Sequence, residues 1–140
     1  MTRILIVGGS DAGASAAMRA REIDPGSQVE VLVADRWPHY SICGLPYLLS
    51  GEVSRPSELA HVSEAELDAA RLAVHLEHRA VAVDADAGSV VADTPGGTRH
   101  FDYDQLILAT GAVPVRPPFS SPWDPVQAAA QAWIRAARSR

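Results

Sequence analysis

Apolar residues form three short runs. Two of them lie near the start of the chain, on either side of a helix-forming stretch, and the third begins at residue 106. The runs Ile4–Val7, Val29–Val33 and Leu106–Ala109 have the length and composition of strands in a parallel sheet that is covered on both faces. Residues 12–23 are strong or neutral helix formers, and Pro25 and Gly26 end that stretch. The alternation of strand and helix predicts an α/β fold built around a parallel sheet.

The middle of the chain changes to shorter segments with another pattern. Ser63 and Glu66 have the spacing of a capping box, which predicts a short helix through about Ala70. Alternating apolar and polar residues after it predict four strands, namely residues 73–76, 80–84, 89–92 and 100–103, with a turn at residues 95–97. We expect the first of these strands to enter the main sheet and the others to form a small antiparallel meander.

A glycine turn joins the first strand to the first helix. Gly8 lets the backbone leave the strand sharply, and Gly13 lets the helix lie close to the sheet. Such a turn directs backbone N–H groups and the positive end of the helix dipole toward a phosphate. Ser10 stands where the dinucleotide-binding pattern has its middle glycine, and we expect Gly9 to take over that role. The alternative is an ordinary buried turn between a strand and a helix.

Two positions in this turn lead to specific expectations. A side chain introduced at Gly13 is expected to abolish nucleotide binding while much of the fold stays intact. The carboxylate of Asp11 would repel a nearby phosphate, because two negative charges a few ångströms apart interact unfavourably. We therefore expect Asp11 to face solvent or to cap the helix.

An acidic residue follows the second predicted strand. In a dinucleotide-binding fold this strand lies parallel to the first, and an acid at its end accepts hydrogen bonds from a ribose of the nucleotide. Asp35 has this place, about 20 residues beyond Gly13, which is the separation that the pattern requires. The alternative is a solvated aspartate in a loop.

Cys43 is the only cysteine of the chain, so an intrachain disulfide is impossible. A lone cysteine is often a small buried apolar residue. Cys43, however, precedes Gly44 and lies shortly before Pro46, a residue type favoured at the first position of a helix. Because a helix N-terminus favours the thiolate, the segment predicts a reactive cysteine.

Composition narrows the class of protein. The 140 residues are 47% hydrophobic and 21% charged, which is typical of one globular domain. The formal net charge of -5 disfavours a nucleic-acid partner, and the apolar runs are too short to span a membrane. With no secretory signal after Arg3, a cytoplasmic protein is expected. The absence of lysine disfavours short-chain dehydrogenases, which use a Tyr-x-x-x-Lys pair.

The histidines lack the spacing with cysteine that a zinc site requires, so no metal is expected. We interpret them mostly as surface or loop residues and consider His39 and His61 as candidates for a place near Cys43. They are His39, His61, His75, His78 and His100.

The glycine turn, the acid after the second strand, Ser41–Tyr47 and Tyr103–Pro114 together resemble one family. They look like the N-terminal part of the flavin-dependent pyridine nucleotide-disulfide oxidoreductases. The chain most resembles the single-cysteine branch, which contains coenzyme A-disulfide reductases, NADH oxidases and NADH peroxidases. The resemblance implies a Rossmann-like FAD/NAD(P)-binding domain, an extended FAD, and NAD(P)H as the electron donor.

The resemblance also implies roles for individual residues. Cys43 matches the cysteine that cycles between thiolate and mixed disulfide or sulfenate. A small-molecule disulfide such as coenzyme A disulfide, a peroxide or oxygen is the implied electron acceptor, and a homodimer is implied for the full-length parent. The implied FAD contacts are Gly8, Gly9, Ser10, Ala12 and Gly13 at the diphosphate, Asp35 at the adenosine ribose, and Ala109, Thr110 and Gly111 in a turn near the cofactor.

The resemblance extends from about Arg3 to about Pro118. Residues 1–118 are therefore expected to be the N-terminal part of an FAD-binding domain, and residues 119–140 a divergent linker with a short basic helix over residues 126–138. The family would continue into a second nucleotide-binding domain and a dimerisation domain, so the fold is expected to be incomplete. The alternative function is a truncated, non-catalytic nucleotide-binding remnant.

Overall fold

The computed structural model describes residues 1–37 and 41–112, apart from the side chains at positions 42 and 64. The strands are β1 (Arg3–Val7), β2 (Gln28–Leu32), β3 (Ala73–His75), β4 (Arg79–Asp84), β5 (Ser89–Thr94), β6 (Gly97–Asp102) and β7 (Gln105–Leu108). The helices are α1 (Asp11–Ile23), α2 (Leu45–Ser50) and α3 (Glu64–Ala69). The predicted linker and basic helix after residue 118, and His39, lie outside the described residues.

Strands β3, β2, β1 and β7 form a parallel sheet in that order. Ile4 of β1 is in register with Val29 of β2 on one side and with Gln105 of β7 on the other. This arrangement, with α1 as the crossover between β1 and β2, confirms the predicted α/β, Rossmann-like fold. The second strand begins and ends one residue earlier than predicted, and Val33 follows it as a buried residue.

Helix α1 covers one face of the parallel sheet. Its small buried residues Ala14 and Ala17 let the helix backbone approach the sheet closely. They face alternate residues of the two central strands, including Ile6, which is fully buried, and Val31. Leu67 of α3 belongs to the same cluster, so α3 also packs on this side.

A three-stranded antiparallel sheet with the order β4, β5, β6 covers the opposite face. Val90 and Ala92 of β5 and Phe101 of β6 pack against Leu5 and Leu32 of the parallel sheet. The predicted meander is therefore confirmed. Because both faces are covered, β1 is apolar on both sides, which explains its nearly continuous apolar sequence, whereas β2 carries Glu30 on the face of the meander.

Short-range and long-range polar contacts fix the helices in place. The predicted capping box at α3 is present, since the Ser63 side chain accepts from the Glu66 amide and the Glu66 side chain accepts from the Ser63 amide. Near the end of α1, Arg21 donates to the carbonyl of Ala70 at 2.9 Å and to that of Arg71 at 2.8 Å. The same guanidinium binds the carbonyl of Ser27. One arginine thus ties α1 to the segments that enter β2 and β3.

The interpretation of the histidines as surface or loop residues is wrong for His75, which lies in β3, whereas His78 lies in the loop before β4 and is half-buried there. His75 binds the carboxylate of Glu30 at 2.7 Å, and both side chains are nearly four-fifths buried. The His78 ring packs edge-on against Phe101, and its Nδ1 is 2.6 Å from the carbonyl oxygen of Leu76. The meander covers these histidines, and a contact between separate sheets leaves no local pattern in the sequence.

Candidate functional site

The first strand, the first helix and the last strand meet at two glycines. Gly8 leaves β1 with φ +113, a conformation that L side chains rarely adopt. A Cβ placed on Gly8 would lie 2.1 Å from the carbonyl oxygen of Ala109, and one placed on Gly13 would lie 1.8 Å from the carbonyl oxygen of Gly8. We call this contact of Gly8, Gly13 and Ala109 the glycine crossing. It holds the start of α1 against the carboxyl ends of β1 and β7.

The glycine crossing corrects one expectation from the sequence. The close approach of the helix at Gly13 was expected, but a side chain there was expected to abolish nucleotide binding while much of the fold stayed intact. The structure instead directs a Gly13 side chain at the backbone of Gly8. A substitution would push α1 away from the sheet, and folding would suffer together with any ligand binding.

The first turn of α1 follows directly from the crossing. Ser10 is the N-cap with an extended backbone, and its carbonyl accepts from the Ala14 amide at 2.9 Å. The first N–H groups of an α-helix lie outside its internal hydrogen bonding and bind anions favourably. Asp11 begins the helix with a carboxylate that is 66% exposed and lies 3.1 Å from Nδ1 of His61. As expected, this carboxylate is largely in solvent.

Two more segments end at the same edge of the sheet. Asp35 is exposed in a bend after β2, and its main-chain carbonyl accepts from the Glu77 amide at 2.9 Å. On the other side, the Ala109 amide donates to the Val7 carbonyl at 2.8 Å, and Gly111 turns the chain with φ +70. The structure therefore places Asp35, residues 109–111 and the glycine turn at the carboxyl edge of one parallel sheet. Ligands of open α/β folds bind at this edge.

Cys43 lies in a separate, short element. It is the middle residue of the 3-10 helix Ile42–Gly44, which leads directly into α2 with Pro46 in the first turn. The thiol-bearing residue is exposed. The predicted position of Cys43 before a helix with an early proline is thus present, although α2 is only 6 residues long.

The segment around Cys43 is held in place by contacts of Ser41 and Gly44 with Leu59. The Ser41 amide donates to the Leu59 carbonyl at 2.8 Å. The Leu59 side chain lies under Gly44, where an added Cβ would be 2.7 Å from Leu59 Cδ2. Leu59 is buried and ends the 3-10 helix Pro56–Leu59. We call Ser41–Gly44 the cysteine segment.

From the sequence, His61 was a candidate neighbour of Cys43, but its contact with Asp11 was not predicted. Also not predicted were Leu59 as the support of the cysteine segment and the left-handed backbone of Glu77, with φ +57. These features arise from contacts between segments distant in sequence. A positive φ at a glutamate has no compositional signal, because glycine and asparagine are the residues that usually indicate it.

Within residues 1–37 and 41–112, no group of three or more His, Cys, Asp or Glu side chains is arranged to hold a metal ion. In the same ranges, no helix has the length and apolar character to span a membrane.

Comparison with known proteins gives the family. A family model described as pyridine nucleotide-disulphide oxidoreductase matches residues 2–136. The chain belongs to this family. An NAD(P)H coenzyme A polysulfide/persulfide reductase of Pyrococcus horikoshii is 32% identical to this chain over 115 residues. The match covers 82% of this chain and 25% of the relative. A coenzyme A disulfide reductase of Staphylococcus aureus is 31% identical over 116 residues, covering 80% of the chain and 26% of the relative.

A solved structure shows the same relationship. The NAD-dependent persulfide reductase from A. fulgidus superposes with a TM-score of 0.76 at 30% identity, over 83% of this chain and 23% of that protein. The resemblance to this oxidoreductase family that the sequence motifs suggested is therefore confirmed. The chain spans about a quarter of the length of these relatives.

Proposed function

We propose that this chain is the FAD-binding portion of an NAD(P)H-dependent oxidoreductase that reduces a disulfide or a peroxide through Cys43. The observation that supports this most directly is the glycine crossing. It places the N-terminus of a 13-residue helix at the carboxyl edge of a parallel sheet, with the backbone of Gly8 and Gly13 in contact. This is the local geometry from which Rossmann folds bind a dinucleotide diphosphate.

The proposal assigns three parts of the edge to FAD. The diphosphate is held by backbone N–H groups of the turn Gly8, Gly9, Ser10, Ala12 and Gly13, aided by the dipole of α1. Asp35 accepts hydrogen bonds from the adenosine ribose. The turn of Ala109, Thr110 and Gly111 follows β7, which is the direct neighbour of β1, and so contacts the cofactor from the other side.

Cys43 supplies the chemistry toward the substrate. Bound FAD would supply two electrons from NAD(P)H to the mixed disulfide or sulfenic acid formed on Cys43, which would restore the thiolate and release the remaining thiol or water. The Cys43 thiolate attacks one sulfur of a disulfide, so that a Cys43–sulfur bond forms, the substrate S–S bond breaks and one thiolate leaves. With peroxide, the thiolate takes one oxygen to give a sulfenic acid, and hydroxide leaves and is protonated to water. Exposure of Cys43 allows either substrate to approach.

The names of two relatives support the disulfide class. The Staphylococcus aureus relative is named for coenzyme A disulfide, and the Pyrococcus horikoshii relative for coenzyme A polysulfide or persulfide. We therefore propose a low-molecular-weight disulfide or persulfide as the first substrate to test. The nicotinamide cofactor, NADH or NADPH, is proposed to act in the whole protein.

A titration of the purified chain with FAD tests the cofactor assignment. We expect saturable binding in calorimetry and a shifted flavin absorption spectrum. The variant Asp35→Asn is expected to weaken binding about tenfold, because a hydrogen bond to a charged group contributes about 1.5 kcal/mol or more. Asp86→Asn, an exposed aspartate in the turn between β4 and β5, is the matched control and is expected to bind FAD like the unchanged chain.

Each negative result of that titration contradicts a separate part of the proposal. Failure of the unchanged chain to bind FAD would favour the non-catalytic alternative. Equal FAD affinity in Asp35→Asn and Asp86→Asn would remove the ribose role of Asp35 and leave the diphosphate role of the turn standing.

A further inference from the structure

Two parts of the proposed site lie on different elements. The diphosphate turn, Gly8–Gly13, belongs to β1 and α1, whereas the cysteine segment, Ser41–Gly44, precedes α2. Each part contacts the chain between residues 59 and 63, so this short stretch offers a structural link between the two parts.

The cysteine segment is attached to the beginning of this stretch. The Ser41 amide donates to the Leu59 carbonyl at 2.8 Å, and the Leu59 side chain supports Gly44. Leu59 is only 5% exposed, and it cannot move independently of the cysteine segment without breaking these contacts.

The diphosphate turn is attached two residues further along. Nδ1 of His61 lies 3.1 Å from the carboxylate of Asp11, the first residue of α1. A carboxylate only accepts hydrogen bonds, so Nδ1 carries the hydrogen, which both the neutral and the charged imidazole allow. The contact therefore does not require a particular charge on His61.

The stretch that presents His61 is anchored at its other end as well. Val62 packs against the core under α1, and Ser63 forms the capping box that begins α3. The backbone at His61 is thus fixed on both sides, between Leu59 and Ser63. A displacement of Asp11 is transmitted through a short, supported piece of chain rather than through a flexible loop.

We propose that His61 is a positioning residue that links the diphosphate turn to the cysteine segment through its contact with Asp11. It holds the Asp11 carboxylate at the side of the turn and fixes the distance from that turn to the chain under Cys43. Its consequence for FAD, that cofactor binding steadies the cysteine segment, rests on the proposed function. The link itself is a property of the chain without cofactor.

The size of the effect follows from exposure. The His61 and Asp11 side chains are 60% and 66% exposed, and pairs of this kind contribute modestly to stability. Loss of the contact is therefore expected to increase local opening of the cysteine segment about two- to fivefold. An effect of this size is measurable at a single amide.

Hydrogen exchange of the Ser41 amide in the chain without FAD is the direct test. The variants His61→Leu and Asp11→Ala are each expected to speed exchange at Ser41 about two- to fivefold, and the double variant no further. His61→Asn, which keeps an N–H donor, is expected to restore most of the protection. The Tyr103 amide, which donates to the Gly88 carbonyl in the meander, is the reference in a separate sheet and is expected to be unchanged. His100→Leu, at an exposed position of β6, is the matched control.

A second measurement adds FAD. In the unchanged chain, FAD is expected to slow exchange at Ser41 and alkylation of Cys43, and in His61→Leu both effects are expected to shrink while FAD still binds. The double variant Asp11→His with His61→Asp, which swaps the two side chains, is expected to restore both effects of FAD. A purely structural role of His61 would change the Tyr103 amide as well and would not be rescued by this reversal.

The outcomes separate the two proposals. Failure of the unchanged chain to bind FAD would sink the proposed function, and the measurement without FAD would still decide the link. Equal exchange at Ser41 in the unchanged chain, His61→Leu and Asp11→Ala would overturn the link, as would additive effects in the double variant. In either case the pair would be an ordinary surface contact.

Discussion

The glycine crossing and the cysteine segment show two ways of building parts of one site. The crossing joins two strands and a 13-residue helix, with backbone against backbone and no room for a side chain. The cysteine segment is a single 3-10 turn before a short helix whose residues are exposed or half-buried. The crossing is formed by elements of the core sheet and its helix. The cysteine segment is held by the hydrogen bond from the Ser41 amide to the Leu59 carbonyl and by the Leu59 side chain.

This difference separates positional accuracy from accessibility. A diphosphate is recognised by many backbone N–H groups at once, so the part that binds it has to be rigid. A cysteine that reacts with a disulfide must be exposed, because a sulfur atom of the disulfide has to reach the cysteine Sγ.

Gly13→Val should have the largest effect, because its first side-chain atom would lie 1.8 Å from the Gly8 carbonyl oxygen. Moving α1 away from the sheet is expected to reduce the free energy of unfolding by about 3 kcal/mol or more. Urea denaturation measures this. The control Gly96→Ala has a nearest heavy atom 3.8 Å from its new Cβ and is expected to be close to neutral. Normal stability of Gly13→Val would mean that the crossing is not tightly packed.

A matched pair of leucines compares the core with the neighbourhood of Cys43. Leu32 of β2 is 1% exposed, and Leu32→Ala is expected to lower the free energy of unfolding by about 2–5 kcal/mol. Leu49 of α2 is 53% exposed, and Leu49→Ala is expected to change it by less than about 0.5 kcal/mol. Thermal or urea unfolding of both variants gives the comparison. Similar losses at the two positions would show that α2 is packed as firmly as the sheet.

Cys43→Ser should alter chemistry and leave stability nearly unchanged. Because Cys43 is exposed, the expected change in the free energy of unfolding is within about 0.5 kcal/mol. Coenzyme A disulfide at neutral pH is expected to give a mixed disulfide in the unchanged chain, detected by mass spectrometry, and none in Cys43→Ser. An unchanged chain that forms no adduct would argue against a reactive thiolate at this position.

The smallest expected effect is the pH dependence of the α3 capping box. Hydrogen bonds from the Ser63 amide, and then from its hydroxyl, hold the pKa of Glu66 below its ordinary value. A carboxyl with a lowered pKa in the folded state stabilises the fold above the unfolded-state value of about 4.3, and this contribution is lost as pH falls through the folded-state value.

We therefore expect Glu66→Gln to be slightly less stable than the unchanged chain at neutral pH and equal to it in acid. Urea denaturation at several pH values measures the difference. A gap between the two chains that persists at low pH would mean that the carboxylate charge is not its source.

The amino-acid sequence by itself determined the features that depend on local patterns. Apolar runs identified β1, β2 and β7, and the alternating segments identified the meander. The Ser63–Glu66 spacing identified the start of α3. Gly8 and Gly13 marked the turn because only glycine tolerates the backbone angles and the close approach that such a turn requires. Each of these signals lies within a few residues of the element that it describes.

Tertiary structure alone decided which distant groups meet. It placed a Gly13 side chain against Gly8 instead of against a ligand, paired Asp11 with His61, and buried His75 with Glu30 beneath the meander. No short window of sequence contains both members of these last two pairs. Their contacts follow from how two sheets and a helix close around one core, because packing then leaves each polar side chain only the partners that lie beside it.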